Sequence, residues 1–237
     1  MKQTIAALKI SGVSSGYAGA IVVRDVTLEI EAGQIFAVLG KNGMGKTTLL
    51  KTILGFLPVK GGRVDVFGED VTGVPSYIIA RRGVSYSPQE QTLFQDLTVE
   101  ENLRLGLRDD QRVVAETERV AEYFPVLRER RRQKAGTLSG GEQKMLIVAR
   151  ALMATPRLIL IDEISEGLQP SMIDRLADVL RAERCRTGTA ILMVEQNVPF
   201  ALSVADRYAV LKLGEIADAG SADEPDAVRR IQDHLSV

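Results

Sequence analysis

The sequence predicts an α/β chain built on an open, largely parallel sheet, and three observations lead there. Residues 35–39 (IFAVL), 158–161 (LILI) and 190–194 (AILMV) are nearly unbroken apolar runs, the pattern of strands covered on both faces. Helical patterns over 46–54, 142–153 and 171–181 lie between them. Strands alternating with helices imply crossovers within one sheet.

From the start of the chain, residues 8–30 alternate apolar and polar side chains and carry Gly16 and Gly19, which reads as antiparallel strands ahead of the parallel core. The run 35–39, flanked by Gly33 and Gly40, is the first core strand, and a helix over 46–54 follows it. The stretch from about 90 to 154 is charged and helical in period, with no strong strand run after Tyr86. It reads as a helical insertion between core strands rather than a separate domain. The later strands 158–161 and 190–194 enclose the helix 171–181. Residues 208–213 and 215–219, joined at Gly214, read as a final hairpin. A length of 237 residues suits one large α/β domain with this insertion.

Composition excludes several classes. Hydrophobic residues at 45% and charged residues at 26% are a globular balance. A formal net charge of −1 supplies no basic field for nucleic acid, so none is expected as a partner. The single cysteine, Cys185, cannot form an internal disulfide; it suits a reducing compartment and reads as a small structural residue. The N-terminal MKQTIAALKISG has polar interruptions and no cleavage-site pattern, and no stretch approaches the ~18 apolar residues of a membrane-spanning helix. The expectation is a soluble chain whose membrane role runs through a partner. The cluster RERRRQK at 128–134 contains Glu129 and reads as a solvated helix face. Met145, Met153 and Met172 read as core or interface filler, and His234 as a solvated tail residue.

The segment Gly40-Lys41-Asn42-Gly43-Met44-Gly45-Lys46-Thr47 fits G-x-x-x-x-G-K-[ST] between a strand and a helix, the context that gives the pattern its meaning. Glycines let successive N–H groups face one anion, and the helix start adds its positive end. Lys46 is placed to reach the β- and γ-phosphates of a nucleotide, and Thr47 to offer a hydroxyl to Mg²⁺, with Thr48 closing the loop. Asp162 and Glu163 end an apolar strand, where open α/β sheets bind ligands. Asp162 suits Mg²⁺, and Glu163 is left to polarise an attacking water, a role worth about 10²–10⁴ in rate.

At Leu138-Ser139-Gly140-Gly141-Glu142-Gln143 a second anion-ready helix start appears, with a hydroxyl and free N–H groups but no lysine. This LSGGEQ, one helix ahead of LILIDE, resembles the signature motif of ATP-binding cassette (ABC) ATPases, and the likeness extends over essentially the whole chain. The resemblance implies a phosphate-loop core sheet with an N-terminal antiparallel β-subdomain and a helical subdomain at about 90–154. It implies that Tyr17 stacks on adenine, that Gln89 in Tyr86-Ser87-Pro88-Gln89 reaches Mg²⁺ and the attacking water, and that residues 165–168 cross to a partner ATPase. Two subunits would then sandwich ATP head to tail. Tyr17, Lys46, Thr47, Asp162 and Glu163 of one would face Ser139, Gly140, Gly141 and Glu142 of the other, and nucleotide would become part of the interface.

The wording GMGKTTLLKTILGFLPVKGGRV, LTVEENLRLG, SEGLQP and VEQNV further resembles the ATPase subunits of importers for branched-chain and other hydrophobic amino acids or related amides. Those subunits work at the inner face of the cell membrane with membrane-spanning permease subunits, a second ATPase chain, the same or related, and, indirectly, a solute-binding protein. Two positions depart from the wider family. Gln196 stands where a histidine usually contacts the γ-phosphate; it can donate a hydrogen bond but carries no charge. Ile164 stands where proline is usual, which would leave the loop carrying Ser165 freer. The rival readings are the ATPase of another transport system, a non-transport ABC ATPase and a subunit that binds ATP mainly as a regulatory interface. Intact Lys46, Asp162 and Glu163 argue against the last.

Overall fold

The computed structural model describes residues 5–89, 93–107 and 109–236. Alternation along the first strands decides the outer layer. Strands β1 (Leu8–Ser15) and β2 (Val23–Ile30) pair antiparallel with Leu8 opposite Ile30, and β2 turns Val23, Val26, Leu28 and Ile30 inward. β3 (Ile35–Leu39) is buried throughout, and α1 (Lys46–Ile53) follows it. β4 (Val59–Val66) returns to β1, and β5 (Glu69–Asp70) completes a four-stranded sheet in the order β2-β1-β4-β5. The sequence reading did not anticipate β4. Its VKGGRVDV carries two glycines and three charges, so only Val64 and Val66 mark the buried face.

After α2 (Ser76–Arg81) and β6 (Val84–Ser87), the chain runs through α3 (Val99–Arg104), α4 (Val113–Tyr123), α5 (Pro125–Glu129) and α6 (Gly140–Met153). It then enters β7 (Leu158–Asp162), α7 (Pro170–Thr187), β8 (Ala190–Glu195) and α8 (Val198–Val204), and ends in β9 (Arg207–Lys212), β10 (Glu215–Ser221) and α9 (Ala227–Leu235). The second sheet has the order β10-β9-β3-β8-β7-β6, parallel except for β10.

The unbroken apolar runs have a simple cause. Successive side chains point to opposite faces, and both faces of this sheet are covered. Phe36, Val38, Leu158, Leu160, Leu192 and Val194 pack with α1 beneath the antiparallel sheet. Their neighbours Ile35, Ala37, Leu39, Ile159, Ile161 and Met193 pack with α6, α7 and α8. That second core also takes in Val99, Leu103, Val120 and Leu127 from α3, α4 and α5, so the helical stretch is continuous with the sheet's packing.

Buried charge reinforces the junction. Arg119 of α4, 8% exposed, donates to Glu116 at 2.6 Å, to the fully buried Glu183 of α7 at 2.7 Å and to the Leu152 carbonyl at 2.6 Å. One guanidinium thus ties three helices, and a buried carboxylate is retained because it is paired.

Several expectations change. The helix expected over 171–181 continues to Thr187 and ends at Gly188, whose φ of 70° terminates it. Cys185 is exposed on α7 rather than structural filler. The basic cluster is solvent-exposed as expected, but it leaves the helix after Glu129 and is ion-paired: Arg128, Arg130, Arg131 and Lys134 meet Glu118, Glu142, Glu100 and Asp96. Ile164 is 3% exposed and belongs to the core, so packing anchors the loop that proline would otherwise restrict. Met145 and Met153 are buried, while Met172 is half-buried beside the core. Among the described residues no helix is long and apolar enough to cross a membrane.

Candidate active site

The carboxyl ends of β3, β7 and β8 lie side by side, with Leu39 paired to Glu195 and Asp162 to Val194. Everything that follows these three strands therefore meets in one place. After β3 the chain makes the glycine loop. Gly43 and Gly45 adopt φ of 81° and 102°, a region closed to most side chains. Gly40 is glycine for a different reason: a Cβ there would lie 2.6 Å from the Leu211 carbonyl. Lys41, Asn42 and Gly43 are exposed, Met44 and Thr47 half-buried, and Gly45, Lys46 and Thr48 buried. The turn between β9 and β10 braces the loop from outside, Gly214 N–H donating to the Met44 carbonyl at 3.1 Å.

Lys46, at the first position of α1, folds back over the loop. Its Nζ donates to the Gly40 and Lys41 carbonyls at 2.6 and 2.8 Å and meets Glu163 Oε1 at 2.9 Å. Lysine and glutamate are 3% and 5% exposed. Two carbonyl groups and a carboxylate thus hold the buried ammonium. A cavity of about 140 Å³ opens beside it, lined by Val22, Gly43, Gly45, Lys46, Thr47, Thr48 and Glu163.

Thr47 Oγ1 donates to Asp162 Oδ1 at 3.1 Å, and the Tyr86 hydroxyl donates to Asp162 Oδ2 at 3.0 Å. Asp162 is 1% exposed. Burial pushes its carboxyl above the usual range despite these two hydrogen bonds. A hydroxyl and a desolvated carboxylate side by side form a hard-oxygen pair, the donor set a small divalent cation takes with phosphate oxygens. The residues present therefore fit such an ion.

Glu163 itself sits at φ 46°, left-handed and unfavourable for a residue with a Cβ. Gln89 approaches from the other side, its Nε2 donating to Glu163 Oε2 at 3.1 Å and to Glu166 Oε2 at 2.8 Å. Gln89 thus lies on the glutamate side of the acidic pair in this state. Gln196 follows β8 and is exposed; Tyr17 is 45% exposed in the turn before Val22.

The second helix start lies on α6. Ser139 caps it reciprocally: its Oγ accepts from Glu142 N–H at 3.4 Å, and its own N–H donates to Glu142 Oε2 at 2.9 Å. Gly140 faces open space, whereas a Cβ on Gly141 would lie 2.4 Å from Met172. Lys144, on the next turn, donates to the Glu166 carbonyl, linking α6 to the loop that follows Glu163.

Sequence reasoning passed over three side chains here: Tyr86, Lys144 and Glu195. Glu195 was findable. It ends AILMVE as Asp162 and Glu163 end LILIDE, and the same strand-end argument applies to both. Lys144 had no signal, because its contact depends on how α6 lies across the 164–169 loop.

Comparison with known proteins supplies the family. A family model described as ABC transporter matches residues 23–166. The chain is 41% identical over 221 residues to the high-affinity branched-chain amino acid transport ATP-binding protein BraG of Pseudomonas aeruginosa, covering 91% of this chain and 94% of the relative. It is 37% identical over 213 residues to the probable branched-chain amino acid transport ATP-binding protein LivF of Archaeoglobus fulgidus, covering 89% and 90%. With the lipopolysaccharide export system ATP-binding protein LptB of Escherichia coli K12 it shares 35% over 227 residues, covering 93% and 92%. Among solved structures, a nucleotide-free ATP-binding cassette from an ABC transporter superposes with a TM-score of 0.85 at 23% identity, covering 98% of this chain and 96% of that one, which speaks for the fold. A phosphate loop, an acidic strand end and a capped second helix start on one such scaffold have one explanation: the chain belongs to the ABC transporter family, as an ATP-hydrolysing subunit of a transporter.

Proposed function

We propose that this subunit drives an importer of branched-chain or other hydrophobic amino acids, or of related amides, through membrane-spanning partners. The observation that carries the reading is the 41% identity over 91% of the chain with a branched-chain amino acid transport protein, against 35% with a lipopolysaccharide export protein. The working assembly is a pair of ATPase chains, this one twice or with a relative, held by permease subunits at the inner face of the membrane and served by a solute-binding protein. Residues 90–154, as a helical subdomain, pass closure of the pair to the permease.

In that assembly the loop 40–48 takes the phosphates, and Lys46 exchanges Glu163 for the β- and γ-phosphate oxygens. Thr47 and Asp162, with Gln89 nearby, would hold Mg²⁺, which would supply charge neutralisation for the transferred phosphoryl group. Glu163, freed from Lys46, orients and deprotonates the attacking water, and Gln196 donates to the γ-phosphate. Ser139, Gly140, Gly141 and Glu142 complete the partner's nucleotide site. Tyr17 stacks on adenine. Tyr17→Ala is expected to weaken ATP binding by about 1 kcal/mol, near fivefold, in a fluorescent-nucleotide titration; an unchanged Kd would remove Tyr17 from the site.

The import reading is tested in the native cell. Tagged Glu163→Gln protein with ATP should bring down two polytopic membrane proteins from solubilised membranes. Deletion of the gene should abolish uptake of labelled leucine, isoleucine, valine or a short amide, with rescue by wild type and not by Glu163→Gln. Intact uptake of all of these in the deletion strain, with membrane partners still bound, returns the chain to another transport system. Recovery of ribosomal or DNA-bound partners alone would remove the transport role.

A further inference from the structure

Glu195 is a carboxylate that the chemistry outlined above does not use, yet it is 1% exposed at the end of β8. Burial pushes its carboxyl above the usual range, so keeping it there carries a cost that its contacts must offset. Both of its side-chain oxygens accept from Ser165, beside a further hydrogen bond from the Asn197 backbone. Ser165 N–H donates to Oε1 at 3.1 Å and Ser165 Oγ donates to Oε2 at 2.7 Å, with Ser165 itself 4% exposed. On the other side, the Glu195 backbone carbonyl accepts from Gly40 N–H, the first residue of the phosphate loop, at 3.2 Å.

Ser165 follows Glu163 by two residues. Glu163 stands at φ 46° with its N–H bound to the Val194 carbonyl at 3.0 Å. A non-glycine residue persists in that conformation only where its surroundings over-determine it. Here the chain is fixed immediately before and after it: by β7 up to Asp162, by Val194 at Glu163, by the core at Ile164 and by Glu195 at Ser165. Of these, only the last is a pair of directional bonds to a side chain.

We propose that Glu195 is a positioning residue for ATP hydrolysis: by clamping Ser165 through its side chain it holds the turn that aims the Glu163 carboxylate, from a strand end whose main chain is already tied to Gly40 of the phosphate loop. It acts through Ser165, the residue its carboxylate binds. The geometry sets the expected signature. Loosening the turn misplaces Glu163, a loss in the chemical step, while the nucleotide-binding loop stays whole.

This inference rests on the reading of Glu163 as the group that activates water, and the test separates the two. Glu195→Leu, Glu195→Gln, Ser165→Ala and the double variant Glu195→Leu with Ser165→Ala are assayed for steady-state ATPase beside wild type and Glu163→Gln. Glu195→Leu is expected to lose about tenfold or more in kcat with KM for ATP within about twofold. Glu195→Gln is expected to keep most of the rate, because an amide can still accept from Ser165 N–H and donate to its hydroxyl. Ser165→Ala should lose rate in the same sense, and in the Glu195→Leu background it should add nothing, since the two residues act as one unit. A folded Glu195→Leu protein with wild-type kcat overturns the proposal, as do additive losses, a Glu195→Gln variant as slow as Glu195→Leu, or a KM that rises in step with the fall in kcat. If Glu195→Leu does not fold, Ser165→Ala decides: a wild-type kcat there overturns the proposal as well. A Glu163→Gln protein that turns over like wild type brings down the catalytic reading itself. A dead Glu163→Gln beside a full-rate Glu195→Leu brings down the clamp alone.

Discussion

Glu163→Gln lowers ATP turnover by about 10²–10⁴-fold and leaves nucleotide affinity within a few-fold. The amide keeps the shape of the carboxylate but cannot accept a proton, so the general-base contribution is lost outright. The surroundings make this a clean substitution. Glu163 N–H remains bound to the Val194 carbonyl, and the backbone at φ 46° is no less favourable for glutamine than for glutamate. The side-chain contacts change in an informative way. Oε1 at 2.9 Å from Lys46 and Oε2 at 3.1 Å from Gln89 are both acceptors in the wild type. An amide supplies one acceptor and one donor, so with Lys46 on its oxygen it keeps the Gln89 contact only if Gln89 turns its own amide over to accept. The contact to Lys46 loses its ionic character in the variant, which leaves the ammonium freer to meet phosphate. Phosphate release measures the turnover, and gel filtration with ATP should show the variant accumulating as a dimer. Turnover equal to wild type would mean that Glu163 is not the base and would favour a mainly regulatory role for the bound nucleotide.

Lys46→Ala abolishes productive ATP binding at ordinary concentrations, with an expected loss of roughly 10–100-fold or more in affinity. Each hydrogen bond to a charged partner is worth about 1.5–3 kcal/mol, and about 1.4 kcal/mol is a factor of ten. The lysine also has a structural duty before nucleotide arrives. It is the cation beside a glutamate only 5% exposed, and removing one member of a buried pair leaves the other uncompensated. The nucleotide-free variant should therefore melt at a lower temperature than wild type, a difference that ATP, no longer bound tightly, fails to restore. Isothermal titration and thermal denaturation with and without ATP read both effects. A variant that binds ATP normally would place the phosphates elsewhere.

The layers of this fold were largely legible in the sequence. Runs such as IFAVL and LILI announced strands covered on both faces because strand side chains alternate, and the structure buries each face in a different core. β4 was not legible. Its inward residues are two valines among glycines and charges, and its place is set by pairing with β1, with partners from Ser15 and Val59 to Leu8 and Val66, rather than by any local pattern. The C-terminal extension of α7 was missed for a related reason. Residues 182–187 (AERCRT) show little apolar periodicity, yet Glu183 is held by Arg119 of α4, and that distant contact stabilises the extra turn.

The sequence by itself determined the chemistry on offer: a glycine loop closed by Lys46 and Thr47, an acidic pair at a strand end, and a serine-glycine cap on a second helix. Each is a local motif, since residues within a few positions of one another create the turn and present the groups. Tertiary structure alone decided how these groups stand towards one another. That Lys46 rests on Glu163, that Tyr86 and Thr47 share the two oxygens of Asp162, and that Glu195 holds Ser165 all follow from the order β3-β8-β7-β6 within one sheet. Strand order is settled by burying both faces of that sheet at once, and no single stretch of sequence carries that free energy.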